Sequence, residues 1–153
     1  MAHRFPSEVS KNKYGKCLVA IKNLNPGEAA ERFEGEIVDS YENVPNYLKN
    51  HALLVDDKRW LVPKSDAMYA NHSCEPNCEV EEELNIVVKI PIKKGEEICF
   101  DYALAYKDEN PCEWQPEWTF KCQCGSLRNF FLYHKFYKYL SMQFIAWKKG
   151  FLR

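Results

Sequence analysis

No Gly-x-Gly-x-x-Gly run follows any apolar stretch of this chain, which holds only six glycines. A Rossmann-type nucleotide site therefore has no support. No apolar N-terminal segment has the form of a signal peptide, and no uncharged stretch reaches the length of a membrane span. The seven cysteines are an odd number. An intracellular, reducing setting is expected, with the cysteines as thiols or metal ligands rather than disulfides. Two paired Cys-x-x-Cys clusters are missing, which argues against a zinc-dependent nucleic-acid binder. Acidic residues are absent after position 126, where six Lys or Arg fall between Leu127 and Arg153. The remainder carries 15 basic and 22 acidic residues, a local charge of −7. An acidic body suits a cationic peptide ligand, and nothing points to a membrane or to nucleic acid as partner.

What is present is enough for one folded domain of 153 residues, 46% hydrophobic and 14% aromatic. The first dozen residues are polar and read as a flexible N-terminus. Strand signals follow at 17–21, 33–38, 59–62, 84–90 and 98–100, with turns at Asn25-Pro26-Gly27-Glu28 and Lys93-Lys94-Gly95. Residues 39–51 read as irregular or weakly helical, with Pro45 limiting any helix. Many short strands with turns between them predict a mainly β domain. Residues 20–28 and 88–96 echo one another as strand, turn and Gly-Glu. Beyond residue 126 the period changes. Leu127, Phe130, Phe131, His134 and Tyr137 recur at helical spacing, predicting an aromatic, basic helix that packs on the β body.

Two stretches carry the chemistry. One is Asn71-His72-Ser73-Cys74-Glu75-Pro76-Asn77-Cys78; the other is Gly95-Glu96-Glu97-Ile98-Cys99-Phe100-Asp101-Tyr102. Alone, the first is a loop opener with a Pro-Asn turn and the second a strand closed by a tyrosine. In this order and at this spacing, the pair resembles the signature of the SET-domain protein lysine methyltransferases. The resemblance covers residues 13–110, and residues 111–126 in part as a post-SET-like segment.

The resemblance implies a mainly β fold of small curved sheets around a knot-like threaded segment, an exception to unknotted topology. It implies S-adenosylmethionine as methyl donor, bound folded back on itself by Asn71 and His72 of the threaded segment. Gly15, Lys16 and Cys17 correspond to the family's N-terminal cofactor loop, where Gly-x-Gly is common. Here Cys17 replaces the second glycine, leaving close backbone approach to Gly15. Tyr102 takes the catalytic place, its hydroxyl aligning a lysine amine that must arrive neutral from a reference pKa of about 10.4. Phe100 stands in the substrate channel where the family exchanges Phe and Tyr, which implies di- or trimethylation over monomethylation.

Cys122-Gln123-Cys124-Gly125 resembles the start of the post-SET zinc motif, whose thiolates join the cysteine matching Cys74. The motif's last cysteine is Asn129 here, so Cys74, Cys122 and Cys124 stop one short of the four donors of structural zinc. Cys112 and His134 are the substitutes of suitable type. The expectation leans toward a metal-free arrangement in which the aromatic helix closes the lysine channel. The implied partner is a protein with an accessible lysine, a histone tail being one candidate. The rival expectation is a catalytically silent SET-like binding module, favoured by Cys17 and the incomplete cysteine set and opposed by Asn71, His72 and Tyr102.

Overall fold

The computed structural model describes residues 4–56, 58–102 and 124–125. Ten short strands and four 3₁₀ turns lie among the described residues, in keeping with the mainly β expectation. The strands are β1 (Ser7–Asn12), β2 (Gly15–Ala20), β3 (Ala29–Arg32), β4 (Gly35–Val38) and β5 (Leu53–Leu54), then β6 (Trp60–Pro63), β7 (Asn71–His72), β8 (Cys78–Val80), β9 (Asn85–Val88) and β10 (Cys99–Phe100). No helix among the described residues is long and apolar enough to cross a membrane. The helix expected at 127–153 and most of the post-SET-like segment lie outside the described residues.

Two units are distinguished: Met1–Glu34 with Lys64–Asp101, and Gly35–Pro63 with Tyr102–Arg153. In the first, β1 pairs with β2, β9 lies between β3 and β8, and β7 pairs with β10. The β1–β2 hairpin corrects the expectation of a loose N-terminus. Ser7 to Asn12 pair residue by residue with Ala20 to Gly15. The signal lay in the turn: Asn12 Oδ1 accepts the Tyr14 N–H at 2.8 Å, and Gly15 takes φ +131°, which only glycine adopts without strain. Polar composition misled because this strand is held by its pairing with β2 and buries only Ser7 fully.

The echo between 20–28 and 88–96 has a structural meaning. Both turns hold their glycine at nearly the same positive φ, +88° at Gly27 and +85° at Gly95. In both, the following glutamate folds back to accept a backbone N–H three residues earlier: Glu28 from Asn25 and Glu96 from Lys93. That bond is the main cause holding the Glu28 carboxyl below the ordinary range. The two segments pair antiparallel about Leu24 and Ile92, which exchange reciprocal bonds of 2.8 and 3.0 Å. Ala20 N–H then reaches Glu96 O at one end and Val88 N–H reaches Glu28 O at the other. Leu18, Leu24, Ile86, Ile92 and Ile98 fill the core beneath, all fully buried. The apolar run into β10 is thereby set against β2, with Ile98 N–H on Leu18 O at 2.8 Å.

In the second unit, β6 lies between β4 and β5. Its core is Val44, Ala52, Leu54, Trp60 and Val62, with Tyr41 tilted on Trp60 at 4.8 Å between ring centroids. The stretch expected to be irregular or weakly helical holds two 3₁₀ turns, Tyr41–Asn43 and Asn46–Leu48, separated at Pro45. Gly35 faces Pro63 across β4 and β6. A Cβ there would run into the Val62 carbonyl oxygen and lie 2.9 Å from Pro63 Cα. Both are backbone atoms and have little room to yield. Gly35→Ala is therefore expected to destabilise the protein by about 1–3 kcal/mol, as overpacking does. Thermal melting checks this; an unchanged midpoint would mean that β4 and β6 separate at no cost.

Candidate active site

The parallel pairing of β7 and β10 is the feature on which the site is built. Cys99 stands opposite Asn71 and Phe100 opposite His72, with Ser73 N–H bonded to Phe100 O at 3.1 Å. Parallel neighbours need a crossover, and β8 and β9 supply it. The two sequence motifs thus become adjacent strands. Tyr102 follows Asp101 directly in the chain and is half-buried; it belongs to the second unit.

Asn77, to which sequence reasoning assigned no role, secures this pairing. Its Nδ2 donates to Glu97 O at 2.8 Å and its Oδ1 accepts Cys99 N–H at 2.9 Å. Its own carbonyl accepts from Lys89 and Ile90 N–H at 2.8 and 3.3 Å. One asparagine thus ties the loop after β7, the end of β9 and the start of β10. Its place six residues after Asn71 was visible in the sequence, but the partners were not.

Asn71 donates through Nδ2 to Glu97 Oε1 at 2.6 Å and to Lys16 O at 3.4 Å. The other oxygen of Glu97 accepts from Asn12 Nδ2 at 2.9 Å. The carboxylate therefore links the β1–β2 turn to the first motif. Gly15 and Lys16 are exposed on that turn, and no atom lies within 4 Å of where a Gly15 Cβ would be. The positive φ, not crowding, selects glycine here, and the open space beside it is where backbone can meet a ligand. Lys16 is held back, its Nζ 3.1 Å from the Tyr69 hydroxyl and 4.5 Å from that ring's centroid. Cys17 is turned inward at 2% exposure. Burial, and then the Glu97 charge, raise its thiol pKa, so it stays protonated. These residues suit S-adenosylmethionine: a glycine-bordered opening and an oriented amide.

The His72 side chain is 3% exposed and committed elsewhere. Its Nδ1 lies 3.5 Å from Asp101 Oδ1 and its Nε2 3.2 Å from Cys74 Sγ. Burial holds it below the ordinary imidazole range, against the opposing pull of Asp101. Phe100 is buried and meets Phe33 edge-on, with centroids 5.9 Å apart at 81°. Of the expected zinc ligands, Cys74 is buried against His72, Cys122 lies outside the described residues and Cys124 belongs to the second unit. Within the first unit, His72 and Cys74 offer one imidazole and one thiol, the donor types that zinc takes.

The SET domain family model matches residues 15–103. Histone-lysine N-methyltransferase ash1 of Drosophila melanogaster is 30% identical over 106 residues, covering 63% of this chain and 4% of the relative. Histone-lysine N-methyltransferase 2D of Homo sapiens is 33% identical over 121 residues, covering 74% of this chain and 2% of the relative. The chain thus spans only a few per cent of these curated relatives' length. A solved Plasmodium falciparum protein, described as a candidate histone methyltransferase, aligns with a TM-score of 0.57 at 19% identity. That alignment covers 68% of this chain and 98% of the solved one, and it speaks for the fold. With both motifs paired as β7 and β10 and the family model matched over more than half its length, this chain belongs to the SET-domain family.

Proposed function

We propose that the protein is a protein-lysine N-methyltransferase using S-adenosylmethionine, with a lysine in a protein tail or loop, a histone among the candidates, as methyl acceptor. The observation that carries this is the β7–β10 pairing, which sets Asn71 and His72 beside the strand leading into Asp101 and Tyr102. When bound, S-adenosylmethionine supplies an electrophilic methyl group on a positively charged sulfur. The chain's own task is then positioning and desolvation. Gly15, Lys16 and Cys17 contribute backbone to the cofactor, and Asn71 contributes its amide. Tyr102 directs its hydroxyl at the lysine amine and fixes its approach. Phe100 keeps the channel apolar, which disfavours the ammonium and favours the neutral, nucleophilic amine.

The direct test is incubation with methyl-labelled S-adenosylmethionine and a panel of histones and cell lysate. Label on a protein lysine supports the enzyme. Cofactor binding without label on any protein would favour the silent binding module.

Cofactor binding is checked separately. S-adenosylhomocysteine at about 100 times its Kd should stabilise the protein by about 2.7 kcal/mol, because it binds only the native state. Asn71→Ala should remove most of the resulting rise in melting temperature. A full rise in the variant would place the cofactor away from Asn71.

A further inference from the structure

The amide orientation of Asn71 follows from its neighbours. Its Nδ2 lies between two acceptors, Glu97 Oε1 at 2.6 Å and the Lys16 carbonyl at 3.4 Å. An oxygen at that position would face two oxygens, so the nitrogen must occupy it. Oδ1 therefore points away from both and is the group that Asn71 offers to a donor. Glu97 is itself firmly held. Its other carboxylate oxygen accepts from Asn12, its carbonyl accepts from Asn77, and its backbone bridges to Val19. The bond to Asn71 is charge-assisted, which shortens it and polarises the amide toward a more negative Oδ1.

We propose that Glu97 is a positioning residue that locks the Asn71 amide with Oδ1 presented to a cationic donor. Building on the methyltransferase reading, that donor is the α-ammonium group of S-adenosylmethionine. Glu97 acts here through Asn71 and touches no substrate.

Glu97→Gln is the test, because it keeps the shape and replaces one acceptor by a donor. The NH₂ group so introduced then faces either Asn71 or Asn12, and the amide lock is lost. In the ligand-free protein, hydrogen exchange of the Asn71 side-chain NH₂, followed by nitrogen-15 NMR, should accelerate at least tenfold. By calorimetry, S-adenosylhomocysteine should bind at least tenfold more weakly to Glu97→Gln. In an Asn71→Ala background the same substitution should add less than a twofold loss. Asn12→Ala removes the other bond to the carboxylate and should leave exchange at Asn71 within twofold of wild type.

Unchanged exchange at Asn71 in Glu97→Gln overturns the proposal. So does an undiminished affinity loss in the Asn71→Ala background, since Glu97 would then act without Asn71. If the unsubstituted protein fails to bind S-adenosylhomocysteine, the methyltransferase reading falls and takes the ligand assignment with it. Binding that is intact but uncoupled removes the Glu97 assignment alone.

Discussion

Tyr102→Phe is expected to lower methyl transfer by on the order of 10²–10³-fold while leaving S-adenosylhomocysteine affinity within a factor of two. The size follows from losing one oriented hydroxyl at the reacting centre, comparable to removing a single donor that stabilises a transition state. The selectivity follows from where that hydroxyl acts. In the proposed function it contacts the amine as the methyl is transferred and takes no part in holding the cofactor, so kcat should fall and cofactor binding stay. Phe conserves the ring and its packing, so melting should change by no more than about 1 kcal/mol, the net value of one hydrogen bond. The measurement is single-turnover methyl transfer at saturating cofactor, beside calorimetric titration of S-adenosylhomocysteine. Turnover close to wild type would remove Tyr102 from the catalytic role. A parallel collapse of cofactor affinity would instead mean that the substitution disturbs the site as a whole.

Asn77→Ala carries the largest stability effect expected within the site. It removes both side-chain bonds of the clamp, leaving Glu97 O and Cys99 N–H without the partner that joins them. Each unsatisfied group costs about 1–3 kcal/mol when buried. Because Asn77 and Cys99 are partly exposed, water recovers some of this, and a total of about 2–3 kcal/mol is expected. Asn77→Asp separates the two bonds. It keeps the acceptor for Cys99 N–H but sets a carboxylate oxygen against the Glu97 carbonyl, so near neutral pH it should recover little. Urea unfolding of the three proteins checks the ranking. An Ala variant as stable as wild type would show that β10 holds its register without the clamp. Both variants should also bind S-adenosylhomocysteine more weakly, because the register they loosen places Cys99 opposite Asn71.

Local chemistry is the reason so much of the chain could be read in advance. Turns are written in residue types: Asn25-Pro26-Gly27-Glu28 and Lys93-Lys94-Gly95-Glu96 need a glycine at positive φ, and both have it. The apolar runs near 17–21, 59–62, 84–90 and 98–100 became β2, β6, β9 and β10 because branched and aromatic side chains suit a buried pleat. Strands as short as β5, β7 and β8 gave no periodicity to detect, since two or three residues cannot show an alternation. Polar β1 was missed because its stability comes from pairing with β2, which its composition does not advertise.

The site divides along the same line. Asn71, His72, Phe100 and Tyr102 were named from two motifs, because residue type and order along the chain carry that information. Their partners were not legible. Glu97 lies 26 positions from Asn71 and 85 from Asn12, and no local rule says that one carboxylate will accept from both. That the His72 ring turns to Cys74 and Asp101 depends on burial, which is set by everything packed around it. The same holds for Cys17, which follows exposed Gly15 and Lys16 in β2 yet is sealed in the core. Residue identity determined the family, the turns and the chemical groups at hand. Long-range pairing of β7 with β10, and of one echoed turn with the other, decided which groups meet, because hydrogen bonds between strands join backbones that the linear order keeps apart.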